Sequence, residues 1–299
     1  MARFSYLFII LGATLWGIIG LFVNALSNLG FSSLQIVAIR VIVAASVLLL
    51  YVLIRKPKLL KIEVRDIKYF LGTGICSIVF FNWCYFTAIK ETSVAVASIL
   101  LYTAPAFVII ISRILFKELI TVNKIYSLIV ALLGCILVVG GASTHNQSIS
   151  SYGLLLGLGS GFGYSLYSIF SKIALTKYTV VTITTYTFVV ASIVIVPISG
   201  IWNSLPLLIK PTDYFYALGL GVLSTVLAFG LYSLGLVFVE SSKASIVAVI
   251  EPVVATLIGV LIFGESLTIW QISGILLIVF SVFLVQGKVR KVAKPNLET

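Results

Sequence analysis

The side chains able to do chemistry in this chain are few, and most of them stand alone inside apolar runs. Glu251 interrupts the stretch from Ala244 to Glu265 and is followed at once by Pro252. By helical rise it lies about 10–12 Å from the start of that stretch. A carboxylate so deep in apolar surroundings costs free energy unless it is protonated, paired or facing water. Pro252 offers no N–H to the carbonyl of Ala248, so an acceptor is left nearby. Three roles are open to Glu251. Neutral, it would donate to a backbone carbonyl as a structural peg; charged, it would hold a cationic group or pair with Arg40; titrating, it would carry a coupling proton. Arg40 lies about 10 Å inside an apolar run of its own. It would either snorkel to the interface or face a cavity and hold an anionic group.

Aromatic residues form the second set. Trp16 falls near the centre of an apolar run, although tryptophan favours the membrane–water interface, where its N–H is wet. A polar cavity would explain it; packing, with the N–H on a backbone carbonyl, is the alternative. Tyr164 falls at a similar depth. Tyr102 stands three residues before Pro105, which frees the carbonyl of Leu101. With Tyr85 and Tyr232 these residues could line a pocket of aromatic faces and hydroxyls, or could simply pack. Trp83, Trp202 and Trp270 fit an interfacial belt, and Asn82 is next to the first of them. The candidate solute-binding residues are therefore Trp16, Arg40, Tyr85, Tyr102, Tyr164, Tyr232 and Glu251.

Catalytic and cofactor signals are lacking. The single histidine, His145, is in a polar stretch. No HExxH, GxSxG, Walker or CxxC pattern occurs, so no enzyme activity, metal or cofactor is expected. Cys76, Cys84 and Cys135 all fall in apolar runs and are expected to be buried free thiols. Cys76 and Cys84 are about 12 Å apart along one helix, too far for a disulfide.

The elements that must position these residues follow from composition. The chain is 61% hydrophobic and 10% charged, where soluble domains carry about a quarter charged residues. Its solvent must be lipid. The net charge of +11 would suit nucleic acid, but the basic residues sit in short loops between apolar runs and read as topology signals. Ten spans of roughly bilayer length are predicted: 4–26, 33–54, 67–89, 93–115, 123–142, 151–173, 179–201, 213–238, 244–263 and 268–286. Arg3 with the first apolar run imitates a signal peptide, but the run is long and its removal would destroy the internal repeat. With the N-terminus inside, seventeen basic residues fall on the cytoplasmic side and two, Lys90 and Lys210, outside. Both termini are therefore expected in the cytoplasm, in a multi-pass protein of the cell membrane. Lys172, near a cytoplasmic span end, would snorkel.

The two halves repeat. Leu71-Gly72, Gly74, Ser77, Val79 and Tyr85 recur 147 residues later as Leu218-Gly219, Gly221, Ser224, Val226 and Tyr232. Pro105 and Glu118 recur at the same offset as Pro252 and Glu265, with Lys117 matching Gly264. Glu91-Thr92-Ser93 matches Glu240-Ser241-Ser242 at 149, and Trp16 and Asn24 match Tyr164 and Lys172 at 148. Two halves of five spans, 1–145 and 146–299, would insert with opposite topology, the inverted repeat of secondary transporters. One fused chain would then hold a complete pathway as a monomer. Glu118 and Glu265 end their helices and read as structural, facing loops. Gly153, Gly157 and Gly161 recur every fourth residue, a pattern for close helix packing; no preceding strand or GxGxxG spacing supports a dinucleotide site.

Trp16-Gly17, Arg40, Tyr85-Phe86-Thr87-Ala88-Ile89 with Thr92-Ser93, Pro105…Lys117-Glu118 and Glu251-Pro252…Gly264-Glu265 resemble the EamA-type ten-helix members of the drug/metabolite transporter superfamily over nearly the whole chain. The resemblance implies an all-α membrane protein of two inverted bundles around a central cavity, moving small organic solutes such as amino acids or other metabolites. The acid–proline pair is common in that family whatever the cargo, which favours a structural Glu251. Tyr164 stands where a second-half tryptophan is common, and Ser127 and Ser281 where helix glycines often stand. The expected function is secondary transport, as an exporter, by alternating access. An importer or a carrier of quaternary ammonium compounds held by an aromatic cage is the nearest rival. A membrane enzyme acting on lipid-linked substrates lacks a nucleophile or metal cluster, and a non-transporting scaffold or sensor is the remaining class. The expected partners are a small organic solute and membrane lipid, with no nucleic acid; a coupling proton is one further option.

Overall fold

The computed structural model of the protein describes residues 2–140 and 150–286, and every regular element among them is helical. In chain order these are α1 (Ala2–Gly17), α2 (Ile19–Asn28), α3 (Ser33–Arg55), α4 (Ile67–Leu71), α5 (Phe80–Glu91), α6 (Val94–Leu101), α7 (Ala104–Leu115), α8 (Val122–Gly140), α9 (Ser151–Ala174), α10 (Val180–Ser199), α11 (Pro211–Gly221), α12 (Ala228–Phe238), α13 (Ser241–Ala248), α14 (Glu251–Phe263) and α15 (Ile269–Val285), with short 3₁₀ turns in the connections. Among the described residues, nine helical stretches are long and apolar enough to cross a bilayer; α15, with 17 residues, is apolar but shorter. His145 and the basic residues from Lys288 to Lys294 lie outside the described residues.

Local chemistry sets the helix starts. Ser32 and Gln35 form a capping box at α3, and Thr268 and Gln271 form one at α15, each satisfying backbone N–H groups that lack a helical partner. Ser93, Ser150 and Thr179 cap α6, α9 and α10 through their hydroxyls.

Several spans are not continuous α-helix. α6 and α7 are separated by Tyr102 and Thr103, and α13 and α14 by Val249 and Ile250. In both cases the proline is the second residue of the new helix, where its missing N–H costs nothing. α4 and α5 are joined by a π-helical segment, Gly72–Val79, and α11 and α12 by another, Val222–Leu227. Such wide turns give no sequence signal, and they shift the helical face. Cys76 lies in the first of them and is exposed, not buried as expected; Cys84 and Cys135 are buried.

Because successive spans run in opposite directions, the loops fall on two faces. We call the side that carries Lys61, Lys124, Lys177 and Lys243 the basic face. The opposite face carries the 29–32, 92–93, 200–210 and 264–268 connections. Helices pack by a rule that exchanges the halves. α1 lies on α12 and the α13–α14 pair, while α9 lies on α5 and the α6–α7 pair; α3 packs on α10, and α8 on α15. The core between them buries Ile9, Leu26, Ile183, Phe188 and Leu236. The outer skin is apolar as well: Ile54, Ile114, Leu261 and Phe283 are exposed, as lipid contact requires. Trp83, Trp202 and Trp270 are also on this skin.

The glycine row of α9 faces α6. A Cβ on Gly161 would stand 2.8 Å from the Thr103 hydroxyl and 2.9 Å from the Leu100 carbonyl. Only glycine lets α9 come so close to the α6–α7 break. Gly17 does the same across the bundle, where a Cβ would lie 2.8 Å from the carbonyl of Glu251.

Candidate functional site

A cavity of about 490 Å³ occupies the middle of the bundle, within the range of small-molecule sites. Trp16, Arg40, Tyr85, Tyr102, Tyr164, Tyr232 and Glu251 all line it. Arg40 and Glu251 are the only charged side chains among the described lining residues.

Glu251 is the first residue of α14, with Ile250 as the helix cap. Its carboxylate therefore meets the positive end of a helix dipole. Oε2 accepts a hydrogen bond from the Tyr164 hydroxyl at 3.3 Å. Gly17 makes this placement possible, because the α1 backbone rests on the start of α14 and brings Trp16 to the same wall.

Arg40 faces the cavity and does not snorkel. Its Nε donates to the Thr225 hydroxyl at 2.9 Å, and its guanidinium lies 5.5 Å from the centre of the Phe229 ring, a cation–π geometry. Thr225 sits in the second π segment and donates to the Leu220 carbonyl five residues back, so the wide turn supplies the oxygen that orients Arg40. Arg40 and Glu251 form no ion pair with each other among the described residues. The direct-pair role considered for Glu251 does not occur in this conformation, and both groups keep unused hydrogen-bonding capacity.

Trp16 packs edge-on against Tyr164 and Phe229, at 6.0 and 4.9 Å between ring centres, and tilted against Tyr232 at 5.1 Å. It is buried, yet its Nε1 has no hydrogen-bond partner among the described residues. The alternative of an N–H held by a backbone carbonyl is not what the structure shows. Tyr85 bonds to Ser98 at 2.9 Å, and Tyr232 to Ser168 at 2.6 Å. Asn82 donates to the Ile78 carbonyl at 2.7 Å and reaches the cavity.

Sequence reading missed Phe81, Tyr167, Ser168, Thr225 and Phe229. Part of the signal was present: Tyr164, Tyr167 and Ser168 share one helical face, as do Phe229, Tyr232 and Ser233, by their spacings of three and four. The role of Thr225 depends on the π turn and had no such signal.

The two ends of the cavity differ. Toward the opposite face its walls are the span ends Ile19, Gly20, Val23, Ser33, Ile89 and Val94. Toward the basic face it narrows at Glu251, Tyr102 and Tyr164 into a second void of about 10 Å³ edged by Ser165, Ser168 and Ser245, room for about one water. Beyond that the bundle is tied shut. Tyr167 bonds to Ser233 at 2.9 Å. Lys172 donates to the carbonyl of Val239 at 2.9 Å and to that of Leu236. It was expected to snorkel; instead the unpaired carbonyls at the end of α12 capture its ammonium. Glu118 accepts from the backbone N–H groups of Ser241 and Ser242 at 2.8 and 3.2 Å, and from the Ser242 hydroxyl.

Comparison with known proteins agrees with this architecture. The sequence profile of the EamA-like transporter family matches residues 3–140 and 151–286. An uncharacterized transporter of Archaeoglobus fulgidus is 30% identical over 276 residues, covering 91% of this chain and 92% of its own. The uncharacterized transporter YwfM of Bacillus subtilis is 26% identical, covering 95% and 94%. The uncharacterized inner membrane transporter YicL of Salmonella typhimurium is 24% identical, covering 98% of each chain. A protein of known crystal structure superposes with a TM-score of 0.77 at 17% identity, over 94% of this chain and 96% of that one, a likeness of fold.

Proposed function

The chain belongs to the EamA-like transporter family, and from that premise we propose that it is a secondary transporter which exports a small zwitterionic metabolite, such as an amino acid or a related solute, across the cell membrane. The two halves act as inverted five-helix bundles, 1–145 and 146–299, that rock about the central cavity. α15 is the tenth crossing. The basic face is cytoplasmic, as the loop charges require, and one chain provides the whole pathway. Membrane lipid is the other partner.

One observation carries the substrate class. Among the described residues, one cation and one acid line a cavity of aromatic and aliphatic side chains without pairing with each other. Arg40 suits a carboxylate, Glu251 suits an ammonium, and the rings suit an apolar body. A permanent cation held by aromatic faces would gain from Glu251 and the rings but be repelled by Arg40 in the same chamber, which favours the zwitterion. A coupling proton on Glu251 is compatible with either cargo.

The test is a thermal-shift panel on purified protein: amino acids, the corresponding amines and carboxylic acids, and quaternary ammonium compounds. Zwitterions with large apolar side chains should stabilise the protein, with loss of response in Arg40→Met and Glu251→Gln. Stabilisation by amines or quaternary ammonium compounds alone would favour the cation carrier. Orientation is tested separately: an impermeant thiol reagent on intact cells should label Lys210→Cys and not Lys61→Cys.

A further inference from the structure

α7 and α14 end in the same way. Lys117 and Gly264, 147 residues apart, take left-handed backbone with φ 54° and 71°. The next residue in each case is a glutamate whose N–H returns to a carbonyl six positions back, Glu118 to Ser112 and Glu265 to Gly259, at 3.3 and 3.1 Å. The turn is a device for holding a carboxylate at a helix end, and the chain contains it twice.

The two carboxylates are used differently. Glu118 is 8% exposed at its side chain and takes the amides of Ser241 and Ser242 and the Ser242 hydroxyl at the start of α13. Lys124, 2% exposed, stands 3.7 Å from Glu118 and 2.8 Å from Glu240. This joins the end of the α6–α7 span to the start of the α13–α14 span on the closed, basic side of the cavity. Glu265 is exposed, and no hydrogen bond or ion pair of its side chain occurs among the described residues. It lies on the opposite face, toward which the cavity is open, its lining residues Gly20, Ser33 and Val94 being exposed there. The groups matching Ser241 and Ser242 are Thr92 and Ser93, at the start of α6. Val94, next to Ser93, is part of the open cavity wall.

We propose that Glu118 and Glu265 are alternating latches, positioning residues for transport that act on the conformation rather than on the solute. In the conformation seen here the Glu118 latch is shut and the Glu265 latch is free. When the cavity turns to the basic face, Glu118 releases α13, and Glu265 takes the amide and hydroxyl of Ser93 at the head of α6. The inference rests on the transporter reading above, since it needs two opposed conformations.

The latches are also unequal. The residue matching Lys124 is Gln271, whose side-chain oxygen serves the capping box of α15. The residue matching Glu240 is Glu91, which accepts from Ser150 at 3.1 Å. One latch therefore has a buried ammonium between two carboxylates, and the other has a neutral amide. That difference accounts for which side is closed here, because a charge-assisted, shielded cluster holds more strongly than a neutral one.

The test uses full-length protein in nanodiscs, where both faces are open to reagent and no transported solute is needed. Reporter cysteines are placed one at a time at Val23, on the open wall, and at Ser245, behind the Glu118 latch, in a background lacking Cys76, Cys84 and Cys135. A polar maleimide should label Val23→Cys quickly and Ser245→Cys slowly. Glu118→Ala should raise the rate at Ser245→Cys by about tenfold and lower it at Val23→Cys, as a shift between two states requires. Gln271→Lys, which leaves the shut latch intact, should move both rates in the same directions, and adding Glu265→Ala should cancel its effect. Unchanged rates in a folded Glu118→Ala protein, or a Gln271→Lys effect that survives loss of Glu265, would overturn the proposal. Should Glu118→Ala fail to fold, the Gln271→Lys and Glu265→Ala pair decides alone. A negative result here leaves the solute panel standing, and a silent panel leaves these rates interpretable.

Discussion

The breaks between α6 and α7 and between α13 and α14 occupy matching places and have matching prolines, yet they present different chemistry. At the first, the residue before Pro105 is Ala104, with Tyr102 and Thr103 in the gap. At the second, the residue before Pro252 is Glu251, with Val249 and Ile250 in the gap. Both breaks are pressed by a helix from the other half, α9 through Gly161 and α1 through Gly17. The backbone is thus nearly symmetric at the two breaks, while the side chains that they present to the cavity differ. Under the proposed mechanism, symmetry would serve the movement and its local loss would orient the solute.

The largest effect should come from removing the charge of Glu251, the one acid among the described lining residues. Glu251→Gln keeps shape and hydrogen bonding but cannot ionise, and it should weaken binding of a zwitterion by about 30- to 100-fold, the range for losing a charged hydrogen-bond partner. Calorimetric titration checks this; an unchanged affinity would return Glu251 to the structural peg. Proton-driven accumulation lost while exchange survives would single out a coupling role. Next, Trp16→Ala and Tyr164→Ala should each weaken binding by about tenfold through lost ring contact. The double variant should be less than additive, because the two rings touch and act on one guest. Full additivity would mean that they pack independently. Pro105→Ala and Pro252→Ala restore an N–H at equivalent places and should alter affinity by less than about threefold, with similar small thermal shifts for the two. A large difference between them would break the backbone symmetry. Smallest of all, Ala104→Ser places a hydroxyl at the position matching Glu251, and titration should show a change within about twofold, about 0.4 kcal/mol.

The helical course was legible because each apolar run is bounded by charges or by cap residues such as Ser32, Thr179 and Thr268. The two broken spans were legible as weakened ladders from Pro105 and Pro252, since proline lacks a donor wherever it stands. All seven proposed lining residues could be chosen from sequence because an aromatic or ionisable side chain deep in an apolar run needs a special environment. Whether they carry a solute rests on the experiments above. The π turns were not legible, as the apolar runs that contain them, Gly72–Val79 and Val222–Leu227, read like the ordinary helix on either side. The same holds for Lys172 and Glu118. The first looked like an interfacial lysine and the second like a loop acid, because their partners, the end of α12 and the start of α13, lie 64 or more residues away in the chain.

The presence of one cation and one acid in the cavity also bears on the electrical work of transport. The membrane potential does about 2.3 kcal/mol of work on each elementary charge carried through 100 mV. With Arg40 and Glu251 both ionised, the walls of the cavity sum to zero, and a zwitterion adds nothing to them. Under the proposed alternating access, the empty and the loaded cavity would then turn from one face to the other without drawing on the voltage or being held back by it. The Glu251→Gln cavity would instead carry one uncompensated positive charge, and its reorientation would become voltage-dependent in proportion to the fraction of the field that Arg40 traverses.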